Sequence, residues 1–133
     1  MSASIEIRRD RLLAIRNRID ADGGGALHIF GSATPPHGGA SAEPPLFIVN
    51  LGAVSFELHA TEASMSLAVE GNVAISGSPT WARFVDGSGY ACMDLAAGLP
   101  GSGAPVTISN GEDPPALQMY VGGVVSVACS IAE

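Results

Sequence analysis

The feature that most constrains this chain is a change of hydrophobic rhythm at three consecutive glycines, Gly23, Gly24 and Gly25. Before them, Leu12, Ile15 and Ile19 recur at helical spacing, with Ile5 further upstream and Leu13 widening the stripe, so Ser4 to Ala21 is predicted to be one amphipathic helix capped by Ser2 or Ser4. The glycines end it, because they lose too much backbone entropy in a helix and readily take left-handed conformations. After them the apolar residues alternate in short runs separated by turn residues, the pattern of an all-β domain.

Nine strands are expected. They come from ten apolar runs, Ala26–Phe30, Pro45–Leu51, Val54–His59, Ser64–Val69, Val73–Ser76, Thr80–Val85, Tyr90–Leu95, Val106–Ile108, Leu117–Val121 and Val125–Ile131, the last of which closes the sheet. Pro45–Leu51 and Val54–His59, separated by Gly52, form either a hairpin or one long bent strand with a bulge, and the second reading gives nine. Glu70-Gly71-Asn72 and Asp86-Gly87-Ser88-Gly89 read as hairpin turns, and Gly31 to Pro44, with Pro35, Pro36, Gly38 and Gly39, as an exposed irregular loop. Together these predict an antiparallel, jelly-roll-like β-sandwich carrying one N-terminal helix, with a closed barrel as the alternative. At 133 residues there is room for one core. The division expected is a docking helix over residues 1–22 and a β body over 23–133, and removal of residues 1–21 is expected to leave that body folded.

Charge is distributed unevenly. Arg8, Arg9, Arg11, Arg16 and Arg18 stand against only Glu6 and Asp10 in the first 18 residues, whereas the remainder sets Arg83 against eleven carboxylates; lysine is absent. An acidic body repels phosphates, so nucleic acid is not an expected partner. The guanidinium fork suits carboxylates, and the helix residues Arg8, Arg9, Arg11, Leu12, Ile15, Arg16 and Ile19 are therefore predicted to dock onto a neighbouring acidic subunit; the alternative is that the arginines only solvate the polar helix face. Only 14% of residues are charged, and Ser, Ala and Thr occupy many outward strand positions. Solitary domains carry about a quarter charged residues, so these faces are expected to be covered by other subunits. No apolar window reaches the length of a membrane-spanning helix, and the first ten residues lack the layout of a secretory signal, which places assembly in a cytoplasm.

Reactive chemistry is sparse. His28, His37 and His59 have no metal-ligand spacing, and Ser88 and Ser102 sit in Gly-Ser-Gly turns rather than on a nucleophile elbow. Asn110, Glu112 and Asp113, or Asp86 with Ser88, are the best oxygen clusters for calcium, but Pro114 and Pro115 make the first a rigid acidic turn. Cys92 and Cys129 read as small buried hydrophobes in a reducing compartment rather than as a disulfide. Trp81 and Phe84 are expected core anchors, with Arg83 on Trp81's side of the strand, near the indole or paired with a carboxylate. No enzyme, cofactor or metal site is predicted.

The order of motifs resembles a family of small proteins encoded among the structural genes of tailed phages and prophages of proteobacteria. The matching pieces are the basic helix ending in Asp22-Gly23-Gly24-Gly25, Leu27-His28-Ile29-Phe30-Gly31, the Pro-Pro-x-Gly-Gly loop, Gly77 to Gly89 around Trp81, and Gly122-Gly123-Val124-Val125-Ser126-Val127. The stretch from Cys92 to Gly103 is shorter than the pattern and bears a cysteine. The resemblance implies a non-enzymatic virion protein of β fold in the tail tip or baseplate, in many symmetric copies with other virion proteins as partners. Capsid cement, or a receptor- or glycan-binding module using Trp81, Tyr90 or Tyr120, are the alternatives.

Overall fold

The computed structural model describes residues 3–31, 43–111 and 118–133. It is mostly β-sheet with one N-terminal helix. Helix α1 spans Ile5–Ile19 and is followed by β1 (Gly25–Phe30), β2 (Phe47–Gly52), β3 (Glu57–Leu58), β4 (Ser64–Asn72), β5 (Trp81–Val85), β6 (Ala91–Gly98), β7 (Val106–Ser109) and β8 (Val124–Ala132). Ser4 caps α1 by accepting from the Ile7 amide at 3.3 Å, and Glu6 in the first turn and Arg16 and Arg18 in the last complement the helix dipole. The stop comes just after Asp20, where Asp22, Gly23 and Gly24 all take positive φ.

The strands form one curled sheet in the order β2-β1-β5-β6-β7-β8-β4-β3. Every pairing is antiparallel except β6–β7, which is parallel over Ala97–Val106 and Gly98–Thr107, so the sheet is mixed rather than purely antiparallel. Three local expectations also change. Residues 70–72 are not a turn: β4 runs through them and pairs with β8 along its whole length. Residues 73–75 bond instead to Gly123 and Leu46, and Met119 makes only an isolated bridge to Gly77. Strand β8 lies inside the sheet, between β7 and β4. The expected loop between Gly31 and Pro44 and the Glu112–Asp113 turn lie largely outside the described residues.

Alternation sends Leu27, Ile29, Phe47, Val49, Met65, Leu67, Ala82, Phe84, Val106, Ile108, Val125, Val127 and Cys129 into one buried core. Leu12 and Ile19 of α1 belong to it, both wholly inaccessible to solvent, and the helix lies against β4 and β6. Phe84 anchors this core, in tilted contact with Phe56 at 5.2 Å between ring centroids. Trp81 is equally buried but on the other face of β5, stacked on Phe30 at 4.2 Å, so it anchors a separate cluster. Among the described residues no helix is long and apolar enough to cross a membrane.

Candidate functional site

The arginines of α1 are the most organised polar feature of the molecule, and they point inward to their own chain. Arg9 Nη1 donates to the carbonyl oxygens of His59 (2.6 Å) and Glu62 (2.8 Å). Arg8 Nη1 donates to the Glu133 carbonyl at 3.1 Å, and Arg16 reaches the Phe56 carbonyl at 3.5 Å. One turn on, Asp20 Oδ1 accepts from the Ser55 amide at 2.9 Å. Arg18 lies over the Tyr90 ring, 4.6 Å from its centroid, with Asp86 Oδ2 at 3.8 Å. Arg11 meets Glu133 only at 3.9 Å and is half exposed, a pairing that contributes little.

This corrects the docking-helix expectation in its detail. Leu12 and Ile19 are not free to meet a neighbour because they fill their own core, Ile15 packs against that core, and Arg8, Arg9 and Arg16 are engaged with carbonyls of the β body. Nor do the arginines merely solvate a helix face. The acidic surface they were expected to seek elsewhere is represented by Asp86 and Glu133 of the same chain, and most of their bonds go to backbone oxygens. Helix and β body share one core rather than dividing at residue 22.

The turn that Arg18 meets is held by Asp86. Its Oδ1 accepts from the Ser88 hydroxyl (2.7 Å) and from the amides of Ser88 and Tyr90 (both 2.9 Å). The Ser88 hydroxyl bond is the chief cause that holds this carboxyl below its ordinary range; the Tyr90 and Ser88 amides and Arg18 act in the same sense, against the effect of burial. Oδ2 is buried without a hydrogen bond and has the Arg18 charge beside it. Asp86 with Ser88 is thus a turn lock, occupied by its own hairpin.

A second polar row crosses the outer face of the sheet, where the register sets His28 of β1 beside Arg83 of β5 and Arg83 beside Asp94 of β6. Arg83 grips Asp94 with two bonds, Nε to Oδ1 at 2.7 Å and Nη2 to Oδ2 at 3.1 Å, and its guanidinium carbon lies 5.2 Å from the Trp81 ring centroid. Both settings expected for Arg83 are therefore realised together. Burial, and then the Arg83 charge, pull the His28 imidazole below its usual range, so it is neutral at pH 7. A neutral imidazole beside a paired guanidinium and carboxylate is a structural tie, since the carboxylate is already committed to the arginine. Sequence reasoning misses the Asp94 partner, because the turn register about Gly87–Gly89 alone would set Arg83 opposite Met93 and a bulge between Phe84 and Val85 shifts it to Asp94.

The third feature is a sheet face almost without charge. On the outward side of β4, β8 and β7, Ser66 stands opposite Ser130, Ala128 between Ala68 and Thr107, and Ser126 between Glu70 and Ser109. All of the β4 and β8 members are exposed. The loop through Pro100 and Ala104 borders it, leaving shallow grooves over Ala68, Thr107 and Ala128. Cys92 and Cys129 are both free thiols, and burial pushes Cys129 up to about 12. Among the described residues no three His, Cys, Asp or Glu side chains converge as metal ligands would. No family model, curated protein or solved structure matches the chain.

Proposed function

We propose that this protein is a non-enzymatic structural component of a tailed-phage virion, assembled in the host cytoplasm in many copies, with the tail tip or baseplate as its place and the capsid surface as the alternative. The observation that carries the reading is the outward face of β4, β8 and β7. A row of Ser, Ala and Thr with only Glu70 and the neighbouring Glu57 charged presents little desolvation cost to a covering subunit, and its small side chains allow another sheet or strand to approach closely. With the inner face of α1 committed to its own body, a neighbour that docks on the helix meets Ile7 and Arg11 on the outer face, both exposed. We also read the curl as two facing layers, β2-β1-β5-β6 and β7-β8-β4-β3, a reading supported by the approach of Phe47 and Val49 to Gly71.

The test is incorporation. Ala68→Lys with Ala128→Lys places two charges on the exposed face without touching the core, and the expected result is a folded chain missing from purified particles by quantitative mass spectrometry. Normal copy number would remove this face from the reading, and absence of the wild-type chain from every particle would remove the virion reading itself. One observation favours a glycan-binding module: Tyr120 is 66% exposed beside Val121, whereas Tyr90, 58% exposed, has one ring face taken by Arg18. Binding on a glycan array that is lost in Tyr120→Ala would shift the assignment to that module.

A further inference from the structure

Strand β3 is two residues long, with Glu57 opposite Ser66 and Leu58 opposite Met65. So short a ladder does not repay the ordering of the segment that carries it. The segment is held from outside. Arg9 binds the His59 and Glu62 carbonyls, His59 Nδ1 accepts from the amides of Thr61 and Glu62 to shape the turn between them, and Phe56 is seated in the core.

What this segment covers is the edge of a nine-residue strand whose other edge is fully paired with β8. Ser64 accepts from the His59 amide, so by alternation Ser64, Ser66 and Ala68 turn their backbone groups toward the β3 side. Past Ser66 no described residue ladders onto that side. Ala68 and Val69 instead border a groove of about 600 Å³ whose other walls include Leu51, Val54 and Glu57. An edge capped over so short a stretch is a template for strand addition.

We propose that Arg9 is the pin of a removable edge cover, and that loss of its two bonds lets residues 57–62 peel from β4 and frees Ser64–Ala68 to pair with the same edge of a second copy. The register argues for a second copy. Antiparallel pairing centred on Ser66 sets Ser66 opposite itself, Ser64 opposite Ala68 and Met65 opposite Leu67, so a two-fold contact forms with no charged residue in it. The peel stops at Phe56, whose ring stays against Phe84. The inference rests on the assembly reading only in its choice of another copy as occupant.

The test compares the full-length wild type with Arg9→Ala and with Arg9→Ala/Ser66→Glu, the latter bringing two carboxylates together at the two-fold on an exposed position. In Arg9→Ala, amides of 57–62 are expected to exchange about tenfold faster while those of β5 and β8 are unchanged. Sedimentation is expected to show this variant dimerising at concentrations about tenfold below the wild type, a gain that Ser66→Glu cancels. Unchanged exchange, faster exchange through the whole chain, no gain in association, or a gain that survives Ser66→Glu would each overturn the proposal. Particle incorporation is a separate readout: a chain that dimerises through this edge yet is absent from virions leaves the pin intact and removes the function proposed above.

Discussion

Leu12→Ala removes a side chain that has no solvent exposure and that sits on the helix face applied to the β body. Three buried carbons are lost and the rigid sheet beneath closes only part of the space, which costs about 3 kcal/mol within the range measured for such truncations. For a chain of this size the melting temperature then falls by about 10 °C. Removing residues 1–21 takes away Leu12 and Ile19 together with the Arg9, Arg16 and Asp20 contacts to the 55–62 segment. Two such side chains alone account for about 6 kcal/mol against a typical total of 5–15 kcal/mol, so the truncated chain is expected to lose cooperative folding. Thermal and urea unfolding followed by circular dichroism measures both. A Leu12→Ala protein that melts within about 1 °C of wild type, or a truncated chain with a sharp native transition, would show that the helix is an appendage and not a wall of the core.

Gly87→Ala is expected to be far more damaging than Gly89→Ala. A Cβ at Gly87 would stand 1.9 Å from the Asp22 carbonyl oxygen, whereas at Gly89 the space is open and only the positive φ opposes it, at about 1–2 kcal/mol; comparable melting temperatures would refute the contact. Asp94→Ala leaves the buried Arg83 charge without its carboxylate and is expected to cost about 3–5 kcal/mol, more than Arg83→Met with Asp94→Leu together, which urea titration of the variants will show. Stability is expected to fall with acidification in two stages. His28, depressed in the folded state, favours the fold above its unfolded value of about 6.5 and loses that advantage as pH falls toward its folded value; Asp86, also depressed, adds a loss as pH falls below its ordinary carboxylate value. His28→Phe should flatten the first stage, and an unchanged pH profile in that variant would assign it elsewhere.

Much of the local structure was legible in the residues themselves. The Ser4 cap, the glycine stop, β1, the β5–β6 hairpin, β7 and β8 all carry short-range signals of capping, turn chemistry or alternation. Gly71 shows where such signals mislead. Between Glu70 and Asn72 it has the look of a turn residue, but it is needed inside β4, since a Cβ there would meet the Phe47 ring at 2.6 Å. Strand order was beyond reach because β4 and β8 pair across more than fifty residues, with nothing local to mark them as neighbours. The arginines of α1 were visible as a cluster, yet their principal partners are carbonyl oxygens, which every residue possesses and no pattern advertises. The Asp20 bond to Ser55 is equally hidden, since its donor is a backbone amide.

The two halves of the curled sheet are stitched along one flank by the short parallel run of Ala97 and Gly98 beside Val106 and Thr107. Along the other flank the Phe47 ring and Val49 lie against the bare backbone of Gly71, and the amides of Ala74 and Ile75 donate to the Leu46 carbonyl. A ladder at β6–β7 thus ties one flank of the curl, and the Leu46 bonds with the apolar contacts near β2 and β4 tie the other. To part the curl at β2 and β4 is therefore to break the two bonds to Leu46 as well as to slide apolar side chains, and to part it at β6–β7 is to break a ladder.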